Sequence, residues 1–541
     1  MVLRSWLAGL TWSALGILTV SVAWGQITPS PGPEISVAAT ATFQTAPAVA
    51  PDGSGGVTIV WQKLTANGWD IFARQYKSEA GGSLVPHAEF QVNTSAVGCQ
   101  QLPAVAADAA GSFVVVWQSD QDPGGGSGIF ARRFDSAGAP RDGTNFQVNT
   151  TTVGNQTRPA VAMAPDGSFL VTWQSDSQTG GQGWDIVAQP YHNDASRSGG
   201  EILVNVATAG AQHSPRVAYL AAPAAGFAVV WESSVGIFVR RFSPLGGSID
   251  TLDQPVNATT TGTQSNPALA SDPSGNYVVA WENLDANGQV SRILARRFQG
   301  VTPLNSMTDL TLDTQQHDPA VATDAVGNWV VSWDSVGDDP SGISIVAIQL
   351  DNRQVATGPK VPLNNTLTAG DQTHPAVTLS QGGSLLAVWQ SLTPVADGAV
   401  IEAKAAAVDG GQLYTVNPCR LVDTRGANGS LGGPVLASGS QRIFPVVTLS
   451  SCGIPSTAKV LSVNVTAVSA TGDGYISLFP GDAPFPGTTT VNFNLATRST
   501  ISNNAQIVLS RDGAGTITAI AVVSGAPGQV HLVIDVNGYY Q

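Results

Sequence analysis

Six polar residues of this 541-residue chain are candidates for recognition chemistry: Arg158, His213, Asn266, His317, Asp318 and His374. Each stands one or two places ahead of a proline that recurs at 47, 103, 159, 215, 267, 319 and 375, at spacings of 56, 56, 56, 52, 52 and 56 residues. The residue just before that proline varies: Ala46, Leu102, Arg158, Ser214, Asn266, Asp318, His374. Three places before it, glutamine is constant: Gln44, Gln100, Gln156, Gln212, Gln264, Gln316 and Gln372. A constant glutamine suggests a structural task, such as an amide pairing with the backbone of the neighbouring unit. A constant frame with a varying polar edge is the pattern of a binding surface for a small polar ligand, a glycan or a peptide loop. The competing reading is a solvated edge that has drifted.

Other chemistry leaves little trace. No nucleophile elbow, HExxH, Walker loop, EF-hand loop or dinucleotide fingerprint occurs. Asp318 is the only acid among the aligned pre-proline residues, whereas glycoside hydrolysis takes a pair of carboxylates, which weighs against an enzyme. Three cysteines and six scattered histidines give no zinc spacing, so no metal or cofactor is expected. Calcium at the oxygen-rich loops Ser119–Asp122 and Gly337–Asp339 is the one exception to consider.

These residues need a scaffold, and the repeat describes it. PAVAADAAGSFVVVWQS from Pro103 returns as PAVAMAPDGSFLVTWQS from Pro159 and PAVATDAVGNWVVSWDS from Pro319. Seven tryptophans close the copies: Trp61, Trp117, Trp173, Trp231, Trp281, Trp333 and Trp389. In Phe113–Trp117 both alternating sets are apolar, which predicts a strand covered on both faces. Asp-x-Gly ahead of it marks a hairpin. A third strand (IFARRF from Ile129) and a short fourth (FQVNT from Phe146) follow. Arg132-Arg133, Arg240-Arg241 and Arg296-Arg297 fall on third strands; one of each pair is expected to pack over tryptophan or meet an acid, the other to face solvent. Four strands per unit and seven units predict an all-β chain: a seven-bladed β-propeller followed by a C-terminal β-sandwich. A linear solenoid is the competitor. The seventh copy lacks a fourth strand, and Ile35–Ala38 ahead of the first copy is expected to supply it and close the ring.

Residues 35–410 resemble the tryptophan-containing propeller-type repeats of large secreted or surface bacterial proteins, a likeness that speaks to fold and is nearly silent on ligand. Gln, Glu or Asp follows the tryptophan here, unlike WD-type repeats, and the Ser-x-Asp-x-Gly-x-x-Trp boxes of sialidases are absent. Residues 413–541 carry Pro418-Cys419-Arg420-Leu421-Val422-Asp423-Thr424-Arg425, Cys452-Gly453-Ile454-Pro455 and Ile534-Asp535-Val536-Asn537-Gly538-Tyr539-Tyr540. They resemble a C-terminal domain common in exported proteins of actinobacteria and related soil bacteria. That resemblance implies an accessory or surface-associated role and no particular reaction. In an exported protein Cys419 and Cys452 are expected to form a disulfide, leaving Cys99 free. Asp423 and Arg425 are expected to be a buried pair fixing a turn.

Composition bounds the partners. Only 11% of residues are charged, with 24 basic, 38 acidic and a net charge of −14, and no basic run exceeds two residues. This excludes a nucleic-acid or anionic-membrane binder. Arg4, the apolar Leu7–Val22 and the small residues Ala23 and Gly25 read as a signal peptide over 1–25, with an N-terminal anchor as the alternative. The expected organisation is then a signal peptide at 1–25, the propeller at 26–410 and the second domain at 411–541, secreted or at the cell surface with no membrane span after cleavage. The expected function is non-enzymatic binding of an extracellular glycan or protein at one mouth of the ring. The alternatives are a secreted polysaccharide-acting hydrolase or lyase, and a structural surface or adhesion component. Oligomeric state has no signature in the sequence.

Overall fold

The computed structural model describes residues 27–29, 34–37 and 43–540, apart from positions 79–83, 96–97, 177, 179–182, 209, 222–224, 259–260, 289, 312–314, 325–326, 340–341, 352–355, 357–358, 365–369, 380–383, 393–398, 409–412, 448–451, 456–457, 459, 483–484, 486–489, 495–499, 511–513 and 526–527. The expected signal peptide lies outside them. All regular structure among the described residues is β-strand. No helix there is long and apolar enough to cross a membrane.

The doubly apolar strand sets the architecture. Phe113, Val115 and Trp117 pack against Val60, Ile71 and Ala73 of the preceding repeat. Val114 and Val116, on the other face, pack against Val161, Val171 and Trp173 of the next one. Each repeat is thus an antiparallel sheet of four or five strands whose two faces are buried by its neighbours. The seven repeat tryptophans are fully buried between sheets. The first strands of successive sheets neighbour one another in order, and the seventh (Asp371–Leu379) neighbours the first (Gln44–Pro51), so the sheets close into a propeller ring. Ile35–Ser36 pairs with the third strand of the seventh sheet, Ile35 opposite Ala403 and Ser36 opposite Glu402. The ring is therefore closed by pairing between the segment ahead of the first repeat and the third strand of the seventh sheet.

Hydrogen bonds written into the repeat hold each sheet's outer parts. Asp108 accepts from the N–H groups of Ala110 and Ser112 while Gly111 takes φ of 82°, the positive value glycine permits. The asparagine after the fourth strand accepts from an isoleucine N–H near the start of the third strand: Asn93 from Ile71, Asn149 from Ile129, Asn205 from Ile186, Asn257 from Ile237 and Asn364 from Ile345. The arginine pairs bind on both sides, which differs from the expectation of a solvent-facing member. The first reaches a backbone carbonyl of the preceding sheet: Arg132 to Val92, Arg240 to Val204, Arg296 to Val256, as Arg74 does to Val37. The second meets an acid: Arg133 with Asp142, Arg241 with Asp250, Arg297 with Asp272.

Residues 413–541 form the other unit. Two sheets, one built on Leu413–Asp423, Gln529–Tyr540, Val460–Val468 and Thr500–Val508 and the other on Gln441–Phe444, Ile517–Val523, Gly474–Pro480 and Val491–Phe493, enclose one apolar core. Every second residue of Val460–Val468 is buried in it. Cys419 and Cys452 are disulfide-bonded, and Cys99 is free. Asp423 and Arg425 do not form a buried pair: their side chains are 27% and 47% exposed, and Asp423 also meets Arg420. The arginines' length lets them reach the carboxylate from the surface while its Oδ1 accepts the Arg425 N–H.

Candidate functional site

A proline in a first strand cannot donate to the sheet ladder, so the ladder must break there. It does so identically in all seven sheets, by a register shift across the pre-proline residue. At that shift Ala46, Leu102, Arg158, Ser214, Asn266, Asp318 and His374 all adopt positive φ, between 47° and 54°. A non-glycine residue in that region stores roughly 1–3 kcal/mol of strain, so something must hold it. The residue after each tryptophan does. Gln62 accepts from the N–H of Leu102, Gln118 from Arg158, Gln174 from Ser214, Glu232 from Asn266, Glu282 from Asp318 and Asp334 from His374. At six of the seven junctions this side chain ties one sheet to the bulge of the next.

The constant glutamine has another partner from the one expected. In five repeats its Oε1 accepts from the Nε1–H of the tryptophan in the same sheet: Gln100 from Trp117, Gln156 from Trp173, Gln212 from Trp231, Gln264 from Trp281 and Gln316 from Trp333. In the seventh, Gln372 accepts from Asn364. The bond across sheets belongs to the residue after tryptophan.

Six of the seven strained residues, all but Ser214, line a cavity of about 410 Å³ together with residues of the segments that follow them. Six of the seven residues after the proline are alanine, which leaves the cavity open. The exception, Arg216, lines it together with Arg158, Asn266, Asp318 and His374. Crowding by the surrounding protein, then Arg158 nearby, lower its pKa against the pull of Asp318 and Glu232. A second hollow of about 340 Å³ shares Arg158 and Asn266 and adds Gln174, Trp184, His213, Ser214 and Glu232. Trp184 lies 5.9 Å from His213, ring centre to ring centre. Partial burial depresses His213, against the pull of Glu232.

The adjoining sector, which shares Asn266, is acidic. Asn266 Nδ2 donates to Glu282 Oε1 at 2.8 Å and to Asp318 Oδ1 at 3.3 Å. His317 Nδ1 lies 3.6 Å from Glu282 Oε2, and His374 Nε2 lies 3.5 Å from Asp318 Oδ2. Burial opposes ionisation of Glu282, but hydrogen bonds from His317, Asn266 and the Asp318 N–H outweigh it and hold its pKa low. The bond to Glu282 raises His317 in turn. Asp334 is pushed well above the usual carboxylate range, chiefly by burial and then by the charge of Asp318.

All six residues singled out in the sequence are therefore brought to one region: Arg158, His213 and Asn266 to the second hollow, Asn266, His317, Asp318 and His374 to the acidic sector. Asp318 is not the only acid there. Glu232, Glu282 and Asp334 join it from the position after tryptophan, where the other repeats carry glutamine. The substitution of Glu or Asp for Gln in WE, WE and WD was visible in the sequence; its place beside the pre-proline residue was not. Trp184 has a counterpart only in Trp69, within the Gly-Trp-Asp-Ile that opens the third strand of the first and third repeats, and Arg216 shows only as a break in Pro-Ala-Val-Ala. The loops considered for calcium have carboxylates engaged within the fold: Asp122 accepts from Asn149 and Gln147, and Asp338 pairs with Lys360.

No protein-family model and no curated protein matches the chain. Among solved structures, a protein of unknown function from Dyadobacter fermentans is 12% identical over 71% of this chain and 99% of its own, with a TM-score of 0.41. The NanB sialidase of Streptococcus pneumoniae is 8% identical over 72% of this chain and 71% of its own, with a TM-score of 0.39. A Penicillium chrysogenum α-L-arabinanase complexed with arabinobiose is 13% identical over 56% of this chain and 92% of its own, with a TM-score of 0.38.

Proposed function

We propose that this is an exported, non-enzymatic protein that binds a glycan at the cavity mouth ringed by the strained residues. The observation that carries this reading is the hollow in which Trp184 stands beside His213, Arg158, Gln174, Glu232 and Asn266. A sugar ring has an apolar face that an indole can cover and hydroxyl edges that planar amide, guanidinium and carboxylate groups can pair, so an aromatic wall with convergent polar groups suits it. The wider cavity next to it gives room for a further residue of the chain. Export belongs to the same reading, supported by the Cys419–Cys452 disulfide, which is favoured in oxidising compartments. Residues 413–541 then serve as the accessory, surface-associated domain. A glycan array tests the proposal: at least one glycan class bound by the wild type should be lost in Trp184→Ala, and an array with no binder, or hits that the substitution leaves intact, contradicts it.

A second reading, a polysaccharide hydrolase, is favoured by one observation. Ligand oxygens of Asp318 and Asp334 lie within 4.8 Å, and burial raises the Asp334 pKa, the direction a general acid requires. Access argues against it: Asp334 is only 4% exposed, and its Oδ2 already accepts the His374 N–H. Turnover of pooled polysaccharides that vanishes in Asp334→Asn would favour the hydrolase.

A further inference from the structure

We propose that Asp318, Asp334 and His374 hold a divalent metal ion of the zinc or manganese class. Each offers one ligand atom, and the three atoms lie within 4.8 Å of one another. His374 Nε2 and Asp318 Oδ2, 3.5 Å apart, are close to the spacing of two ligands on one ion whose bonds are about 2.0–2.2 Å. The third member supplies the independent observation. Asp334 is buried, and its Oδ1 has no hydrogen-bond partner, a costly state for a carboxylate oxygen that coordination would relieve. The charge balance points the same way. Asp318, Asp334 and Glu282 share this sector; among the described residues their ion-pair partners are His374 and His317, and Arg216, which acts on Asp318 across the cavity, is not within 4 Å of it.

The donor set selects the class of ion. Two carboxylates and an imidazole suit zinc or manganese, whereas calcium and magnesium take all-oxygen shells. The repeat explains how the site arose at low structural cost. In four other sheets the Asp334 position holds glutamine, and in the first two sheets the Asp318 and His374 position holds alanine or leucine with the same backbone geometry. An acid after tryptophan keeps the acceptor that the next bulge needs and adds the charge that a cation needs. The proposal does not depend on the glycan reading, because the metal alone is the ligand.

The same comparison supplies variants that should fold. Asn at 334 retains an acceptor for the His374 N–H, and alanine is native at position 46. Untagged full-length protein, stripped with a chelator, is titrated calorimetrically with Zn²⁺, Mn²⁺ and Ca²⁺. The expected result is one equivalent of Zn²⁺ or Mn²⁺ bound, at least tenfold more weakly in Asp334→Asn and in Asp318→Ala, with melting curves of the metal-free variants matching the metal-free wild type. No binding, binding that the substitutions leave unchanged, or preference for Ca²⁺ overturns the proposal.

Discussion

At the scale of residues, the ring depends on one conformation that L-amino acids avoid. Leu102 holds φ of 51° immediately before a proline, and its side chain is 39% exposed, so little packing is lost with it. Leu102→Gly should remove strain worth about 1–3 kcal/mol against an entropic cost of about 0.5–1 kcal/mol. The melting temperature of the ring is expected to rise slightly, and a fall of several degrees would contradict the strain. Gln156→Ala takes away the acceptor of the buried Trp173 Nε1–H and should cost about 1–3 kcal/mol, read by chemical denaturation. These two positions also show what a sequence reveals. A glutamine that recurs seven times announces a structural duty, but its partner, a tryptophan 17 residues on in the same sheet, depends on side-chain direction, which spacing alone does not define. Pre-proline positive φ was equally hidden, because the residue before proline ordinarily prefers an extended backbone.

Among the elements, the sheets were legible because their signal repeats. Seven copies of an apolar run, a turn and a tryptophan leave few other folds for a chain with so few charges. The ties between sheets were less legible. The third repeat has Gln189-Pro190 where others carry an arginine pair, and there Arg197, from the turn beyond, reaches the Val148 carbonyl instead. The seam is the element whose removal is most informative. Deleting residues 26–42 removes Ile35–Ser36 from the seventh sheet and the Val37 carbonyl from Arg74. The transition of the entire ring should move to lower temperature, while an unchanged transition would mean that the seam contributes nothing. In the other unit, hydrogen bonds from Arg425 hold the Asp423 pKa far below its ordinary value. A depressed carboxylate stabilises the fold above the unfolded-state pKa, near 4, and that contribution is lost as the pH falls below it. Acid should therefore loosen the strands of 413–541, followed by hydrogen exchange, and Asp423→Asn should flatten that dependence.

Seen as a whole molecule, the chain pairs the charges of its repeated framework and brings a further group of charged residues together at the cavity. Across the repeats, glutamine, asparagine and paired arginines satisfy the backbone, and departures from the repeat mark the site: Arg158, Arg216, Glu232, Glu282, Asp318, Asp334 and His374. Composition alone pointed away from anionic polymers, but it did not show that the rim divides into a basic, aromatic-walled side and an acidic, histidine-bearing side. That division arises from which blades carry the exceptions, and it becomes visible only when the ring is closed. The central claim is that the Trp184 side is where a glycan binds. Calorimetric titration of the best array glycan against wild type, Arg158→Ala and Trp184→Ala, with Arg442→Ala in the other unit as control, tests it most directly. Affinity at least tenfold weaker in the first two variants and unchanged in the control is the predicted result; equal affinity in all four proteins would contradict it.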